Sequence, residues 1–330
     1  MTQQAQDKPT QQQQQPSIFF LVPLSLVMLG AILVARIAEV HFREKSPYLP
    51  VLIYDLTFGK DKQPFHYRAC RDKFVVVGDA SRVGLDTLRA SGSAQFSSTS
   101  LTDLINKINA RKITVVDLRQ EAHGFVNELP VSWWNVENTD NEGLSLPALT
   151  KIETERLINL EASGDALIYT AAVDRQEKTL TDLKLQKVMV KSAEDEEKLC
   201  KSRDLKYQRV PVTDDHPPDD TVIDRFVNYV REMPEDNWLH FHCDDGHGRT
   251  TTFLILYDML RNAKQATFED IVKRQYLLGG IDVTVLPPQG NFKRPMAEKR
   301  LSLLKRFYQY ARSGTNQSWI QWSVQNPPGS

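Results

Sequence analysis

Apolar residues along this chain fall in short runs that alternate with helical spacings. Phe74-Val75-Val76-Val77 and Ile113-Thr114-Val115-Val116 are apolar or β-branched stretches bounded by Asp and Gly, the pattern of buried strands. Ala166-Leu167-Ile168-Tyr169, Lys187-Val188-Met189-Val190 and the stretch from Tyr207 to Val212 extend that series, and a further strand is predicted at 238–242. Between them the spacing changes to that of helices. Leu101, Leu104, Ile105 and Ile108 share one face behind Ser100, with Asp103 three residues on as a capping pair. Ser192 with Asp195 predicts a charged helix running to about Ser202. Val222, Phe226, Val227, Val230 and Met233 form another stripe, closed by Pro234. Phe253, Leu254, Leu256, Tyr257 and Leu260 mark a third, Thr267 with Asp270 opens a fourth, and Pro295 opens a last helix reaching about Ala311. Strands alternating with helices predict an α/β fold with a mostly parallel sheet covered on both faces.

The N-terminus departs from this pattern. Residues 1–17 are polar and glutamine-rich, the composition of a disordered tail. From Ile18 to Ala35 no charge occurs, and as a helix this run would extend about 27 Å, the depth of a bilayer core. Residues 18–36 are therefore expected to be a membrane anchor or signal segment, with the folded domain at 49–330. The expected location is membrane-anchored or secreted, with the catalytic domain outside the cytoplasm. Basic residues argue the other way under the positive-inside rule: Lys8 precedes the run, while Arg36, Arg43 and Lys45 follow it.

At 330 residues the chain can bury one large core with an annex. A formal charge of −1 offers no bulk attraction to nucleic acid, so an anionic substrate must meet a local patch of cations. Three cysteines, Cys70, Cys200 and Cys243, make no disulfide framework; Cys70 and Cys200 are expected as buried free thiols.

Cys243 stands apart. It begins Cys243-Asp244-Asp245-Gly246-His247-Gly248-Arg249-Thr250, between the predicted strand and a helix. Glycines at 246 and 248 let successive N–H groups converge on an anion, and the helix directs its positive end there. Arg249 can grip two phosphate oxygens in a planar fork. In that field Cys243 is expected to be a thiolate nucleophile, with Thr250 donating a hydrogen bond to its sulfur. Attack on a phosphate ester leaves an alkoxide that needs a proton. The acidic, proline-stiffened stretch Thr213-Asp214-Asp215-His216-Pro217-Pro218-Asp219-Asp220 suits the donor, and its four aspartates compete for that role.

This loop, the Thr213-Asp214 pair and Asp117-Leu118-Arg119-Gln120-Glu121-Ala122-His123-Gly124 together resemble the cysteine phytases, the protein-tyrosine-phosphatase-like inositol polyphosphate phosphatases of bacteria. Pro130-Val131-Ser132-Trp133, Ile223-Asp224-Arg225-Phe226 and Arg274-Gln275 add to the likeness, which runs from about residue 60 to the C-terminus. The resemblance implies a phosphatase core with a small partial β-barrel annex, no metal or other cofactor, and an inositol polyphosphate substrate. It puts the general acid on Asp214, with Asp215 as stand-in, because a tryptophan-proline pair usual in the family is replaced here by Pro217-Pro218. It assigns substrate contacts to the loop (Asp244, Asp245, Gly246, His247, Gly248) and to Arg68, Lys293 and Arg300, and has Asp117 either contact a substrate hydroxyl or order basic partners. Arg119 and His123 are expected to build the loop, and His242 to bond backbone beneath it. Asp244 and Asp245 are unusual inside an anion site. His247, where the family has a small apolar residue, could pair with a phosphate when protonated. A protein-tyrosine or dual-specificity phosphatase is the competing reading, and a silent phosphate-binding module is a third. Oligomeric state is not legible.

Overall fold

The computed structural model describes residues 50–55, 63–135, 140–174 and 179–327. The apolar run at 18–35 lies outside the described residues; among those described, no helix is long and apolar enough to cross a membrane.

The core is a five-stranded sheet in the order β10 (Lys206–Val212), β4 (Ile113–Arg119), β11 (Trp238–His242), β3 (Ala90–Ser93), β2 (Arg68–Ala69). All pairings are parallel except β2 with β3. Alternation along β4 explains how both faces are filled. Ile113 and Val115 turn to one side, onto α1 (Ser98–Ile108) and α3 (Glu196–Ser202). Val116 and Leu118 turn to the other, onto α4 (Asp220–Glu232), α5 (Gly248–Asn262), α6 (Phe268–Leu277), α7 (Arg294–Ser313) and α8 (Trp319–Gln325). Phe241, Phe226, Phe253, Phe307 and Trp319 fill that second, larger core.

A six-stranded sheet forms the annex, in the order β8 (Thr179–Met189), β7 (Asp165–Asp174), β1 (Val51–Tyr54), β6 (Leu129–Trp134), β5 (His123–Val126), β9 (Ala193–Glu194). Its apolar face packs with Leu157 of α2 (Leu146–Ser163). No pairing among the described residues closes it into a barrel. The chain passes from core to annex at Gln120–Ala122, between β4 and β5, which places Glu121 at the junction.

Capping chemistry sets the helix starts. Thr267 and Asp195 cap α6 and α3, the latter in place of Ser192. The α1 cap is Ser97, three residues before the expected Ser100, because the two serines bond reciprocally in a capping box. Phe74–Val77 is a second correction. It is not a strand: Val75 and Val77 are exposed, and the N–H groups of Val75 and Val76 bond to the carbonyl of Leu277 at the end of α6. Apolar character there serves a contact with a helix end.

Of the four aspartates at 214–220, two are structural. Asp219 caps α4 by accepting from Val222 N at 2.8 Å. Asp220 accepts from the indole N–H of Trp319, on α8, at 2.8 Å. Trp319 itself is fully buried.

Candidate active site

Strand β11 ends at His242 and α5 begins at Gly248, so residues 243–247 turn in the gap between sheet and helix. Gly246 has φ +75°, and a Cβ there would lie 2.3 Å from Ala94 N, so the turn needs glycine at that position. A Cβ on Gly248 would meet only the Arg300 guanidinium, at 3.7 Å; that glycine is not demanded by space. Arg68 braces the turn from behind. Its Nη1 donates to Gly246 O at 2.9 Å and His66 O at 2.8 Å, and its Nη2 to Thr251 Oγ1 at 3.0 Å. This corrects the expected substrate contact: Arg68 is buried, and burial lowers its pKa to about 10, against the pull of Cys243 and Cys70.

Cys243 Sγ accepts hydrogen bonds from Gly246 N and from Thr250 Oγ1, each at 3.2 Å. The expected hydroxyl donor is thus in place. Arg249 is held in plane by Glu121, with Nη1 to Oε2 at 2.7 Å and Nη2 to Oε1 at 3.0 Å, and by Val212 O at 3.0 Å. Its Nε, buried, has no hydrogen-bond partner among the described residues. Burial disfavours this guanidinium's charge, but Asp214 and Glu121 hold its pKa well above the usual range. Asp214 Oδ1 lies 3.1 Å from Arg249 Nη2.

Glu121, in the motif at 117–124, has a role that no local pattern in the sequence signals. Its carboxylate joins Arg249 to Arg119, whose Nε donates to Oε1 at 2.8 Å. Burial pushes Glu121 up, yet Arg249 and Arg119 hold it far below the ordinary carboxylate range. Arg119 continues the chain to Asp55 and Gln95, each at 2.8 Å. Arg119 therefore builds the loop's surroundings, as expected. Asp117 does not reach the cleft for a substrate hydroxyl; of its two expected roles, its contacts with Arg209 and His123 match the ordering of basic partners. It is fully buried, accepts from Arg119 N and Tyr207 OH, and lies 3.1 Å from Arg209. Burial opposes its charge, but His123 and Arg209 keep it ionised, well below the ordinary range. His123 shares this buried cluster: burial lowers its pKa, but Asp117 raises it to about 10. His242 lies beneath the loop but bonds a carboxylate rather than backbone, with Nε2 2.7 Å from Glu196 Oε1. Neither Glu196 nor Arg209 gave a local signal, since each acts on partners distant in sequence.

Asp214, Asp215, Asp245, His247, Lys293 and Arg300 surround Cys243 in a cleft of about 320 Å³, with an apolar wall from Ile281, Val283 and Val285. Asp215 is tied across it: its carboxylate pairs with Lys293 Nζ at 2.9 Å and its carbonyl accepts from Arg300 Nη2 at 3.0 Å. That leaves Asp214, not Asp215, at the guanidinium of Arg249. Burial lowers the pKa of Arg300, against Asp215 and Asp214. Asp244 is directed away from the cleft, with Oδ1 3.9 Å from Arg119 Nη2, which explains how an acid is tolerated in the loop. Asp245 stays at the crest, 2.9 Å from His247 Nδ1, so that histidine already has an anionic partner. Cys70 and Cys200 are buried free thiols, and burial raises the pKa of both.

The family model for PTP-like phytase, described by inositol hexakisphosphate, matches residues 116–261. A PTP-like myo-inositol phosphatase from Mitsuokella multacida, solved with myo-inositol-(1,3,4,5)-tetrakisphosphate, is 30% identical with a TM-score of 0.80, over 87% of this chain and 49% of that one. A PTP-like phytase from Bdellovibrio bacteriovorus is 33% identical with a TM-score of 0.67, over 83% of this chain and 95% of that one. Effector protein hopD2 of Pseudomonas syringae pv. tomato is 31% identical over 276 residues, 79% of this chain. The chain spans 58% of hopD2's length, and about half of the Mitsuokella chain's. With the cysteine loop, its arginine and the aspartate assembled as above, and a solved relative matched over almost its whole length, the chain belongs to the PTP-like phytase family.

Proposed function

We propose that this chain is a cysteine-dependent phosphomonoesterase that removes phosphate from myo-inositol hexakisphosphate and lower inositol polyphosphates through a phosphocysteine intermediate. One observation carries the reading: Cys243 Sγ, with two hydrogen-bond donors on it, shares a cleft with Asp214, which contacts Arg249. The substrate phosphate takes the position on Arg249 that Asp214 Oδ1 now occupies, using Nη2 and the unpartnered Nε. The Cys243 thiolate attacks phosphorus, the bond from phosphorus to the inositol oxygen breaks, and Asp214 gives its proton to that leaving oxygen. Water then attacks the phosphocysteine, its proton returning to Asp214, while the Thr250 hydroxyl supports the departing sulfur. Glu121 keeps Arg249 in plane throughout. The inositol assignment draws on the family description and on the Mitsuokella relative's bound tetrakisphosphate. Lys293 and Arg300, beside the cleft, suit further phosphates.

Phosphotyrosine is the second reading, favoured by the apolar wall at Ile281, Val283 and Val285 and by the engagement of both Lys293 and Arg300 with Asp215. The deciding assay compares phosphate release from phytate and from a phosphotyrosine peptide by the purified full-length chain. A higher kcat/KM on phytate supports the first reading, and the reverse order the second. Full turnover in Cys243→Ser refutes both. We also propose that residues 18–36 attach the chain to a membrane or direct its export, with the catalytic domain outside the cytoplasm. That rests on the uncharged run at 18–35, and recovery of all the protein in the cytoplasmic soluble fraction would overturn it.

A further inference from the structure

At the crest of the 243–249 loop, one atom each from His66, Asp245 and His247 lie within 4.8 Å of one another. The two imidazoles come from different parts of the chain and stack, with ring centroids 3.7 Å apart and planes 29° off parallel. His66 Nδ1 is 2.7 Å from Asp245 O, and a carbonyl only accepts, so that nitrogen carries the proton. His247 Nδ1 sits 2.9 Å from Asp245 Oδ2, the arrangement in which a carboxylate likewise holds the proton on Nδ1. Both rings therefore turn Nδ1 toward Asp245, and moving each proton to Nε2 would leave two Nδ1 lone pairs facing that residue. A neutral imidazole binds a metal through either Nδ1 or Nε2, so that tautomer can supply ligands.

We propose that His66, Asp245 and His247 bind one divalent transition cation of the zinc class at the mouth of the cleft. Two imidazole nitrogens and one carboxylate oxygen are a borderline donor set that suits zinc, cobalt or nickel over magnesium or calcium. Bonds of about 2.0–2.2 Å place tetrahedral ligand atoms roughly 3.3–3.6 Å apart, so the three groups must draw together slightly. All three side chains are partly exposed, from 36% to 48%, and have room to do so. The fourth position stays open to water. Charge favours occupancy, because Asp245 sets a carboxylate at the crest of a loop whose chemistry calls for positive potential. The bound cation joins the 63–67 segment to the loop that carries Cys243. Asp245 and His247 also line the cleft, but the phosphoryl-transfer step proposed above calls on no metal.

The competing cation ligand nearby is the Cys243 sulfur, and the test separates the two. The purified full-length chain, without a histidine tag, is titrated with Co²⁺ while visible ligand-field bands are recorded, then with Zn²⁺ in competition. Wild type and Cys243→Ser are expected to bind one equivalent and to melt at a higher temperature with Zn²⁺ present. His66→Asn is expected to lose at least about tenfold in affinity, together with the thermal shift. Asparagine is chosen because residue 66 has φ +54°, a conformation asparagine accepts. Equal binding by wild type and His66→Asn overturns the proposal, as does loss of binding in Cys243→Ser alone. Absence of binding by wild type overturns it as well.

Discussion

Replacing Glu121 with glutamine removes one negative charge from the point where two buried guanidiniums meet. Arg249 makes two bonds to this carboxylate and Arg119 a third, at 2.7, 3.0 and 2.8 Å, and all three side chains are essentially sealed from solvent. Glutamine keeps one acceptor oxygen but turns an N–H₂ group toward a cation that can only donate. Breaking a buried pair by neutralising one partner costs about 3–5 kcal/mol, because the other charge stays buried without compensation. In a domain of this size each kcal/mol lowers the melting temperature by roughly 2 °C, so Glu121→Gln should melt about 6–10 °C below wild type. Arg249 should also lose its planar alignment, and a displacement of about 1 Å in a positioning group can reduce turnover about 10²-fold. Calorimetry and steady-state kinetics on the full-length protein give both numbers. An unchanged melting temperature with wild-type turnover would refute the argument. Val212 O and Asp214 would then suffice to hold the guanidinium.

Three further outcomes follow from the same geometry. Asp214→Asn should lower kcat by about 10²–10⁴ on substrates with poor leaving groups, while rapid quench still shows labelled phosphocysteine from an activated aryl phosphate; an unaltered kcat would move the acid elsewhere. Gly246→Ala should lose at least about 1 kcal/mol of stability and most activity, since the Cβ would press on Ala94 N at a positive φ; calorimetry with an activity assay checks it. Stability should decline on both sides of mildly acidic pH. Burial raises the Glu196 pKa but His242 holds it at about 2, so its contribution is present above the unfolded value near 4.3 and is lost as pH falls toward 2. His123, raised to about 10, contributes below its unfolded value near 6.5, and that share is lost as pH rises toward 10. Urea midpoints across pH test this, and an alkaline limb that His123→Gln leaves unaltered would contradict it.

Much of the core was legible because its signals are local. Helix α6 starts at its Thr267 cap, and β4 and β11 are apolar runs in a sheet covered on both faces. The 243–249 loop was legible because thiol, glycine, arginine and hydroxyl must be neighbours in sequence to act together. What escaped was long-range. Glu121 meets Arg249 across 128 positions, and Glu196 meets His242 across 46. Helix α2 has a faint pattern because Glu153, on its inward face, pairs with Arg209. Phe74–Val77 misled because apolar character reports burial in general, while here it accompanies a backbone contact with the end of α6.

The indole of Trp319 rests on Asp220, one residue beyond the cap of the helix that follows Asp214, the proposed proton donor. On the proposed mechanism, helix α8 is thereby a distant foundation stone for proton delivery. Loosening it, as in Trp319→Phe, should disturb the timing of acid catalysis sooner than the affinity for phosphate, although the indole lies about a hundred residues away along the polypeptide.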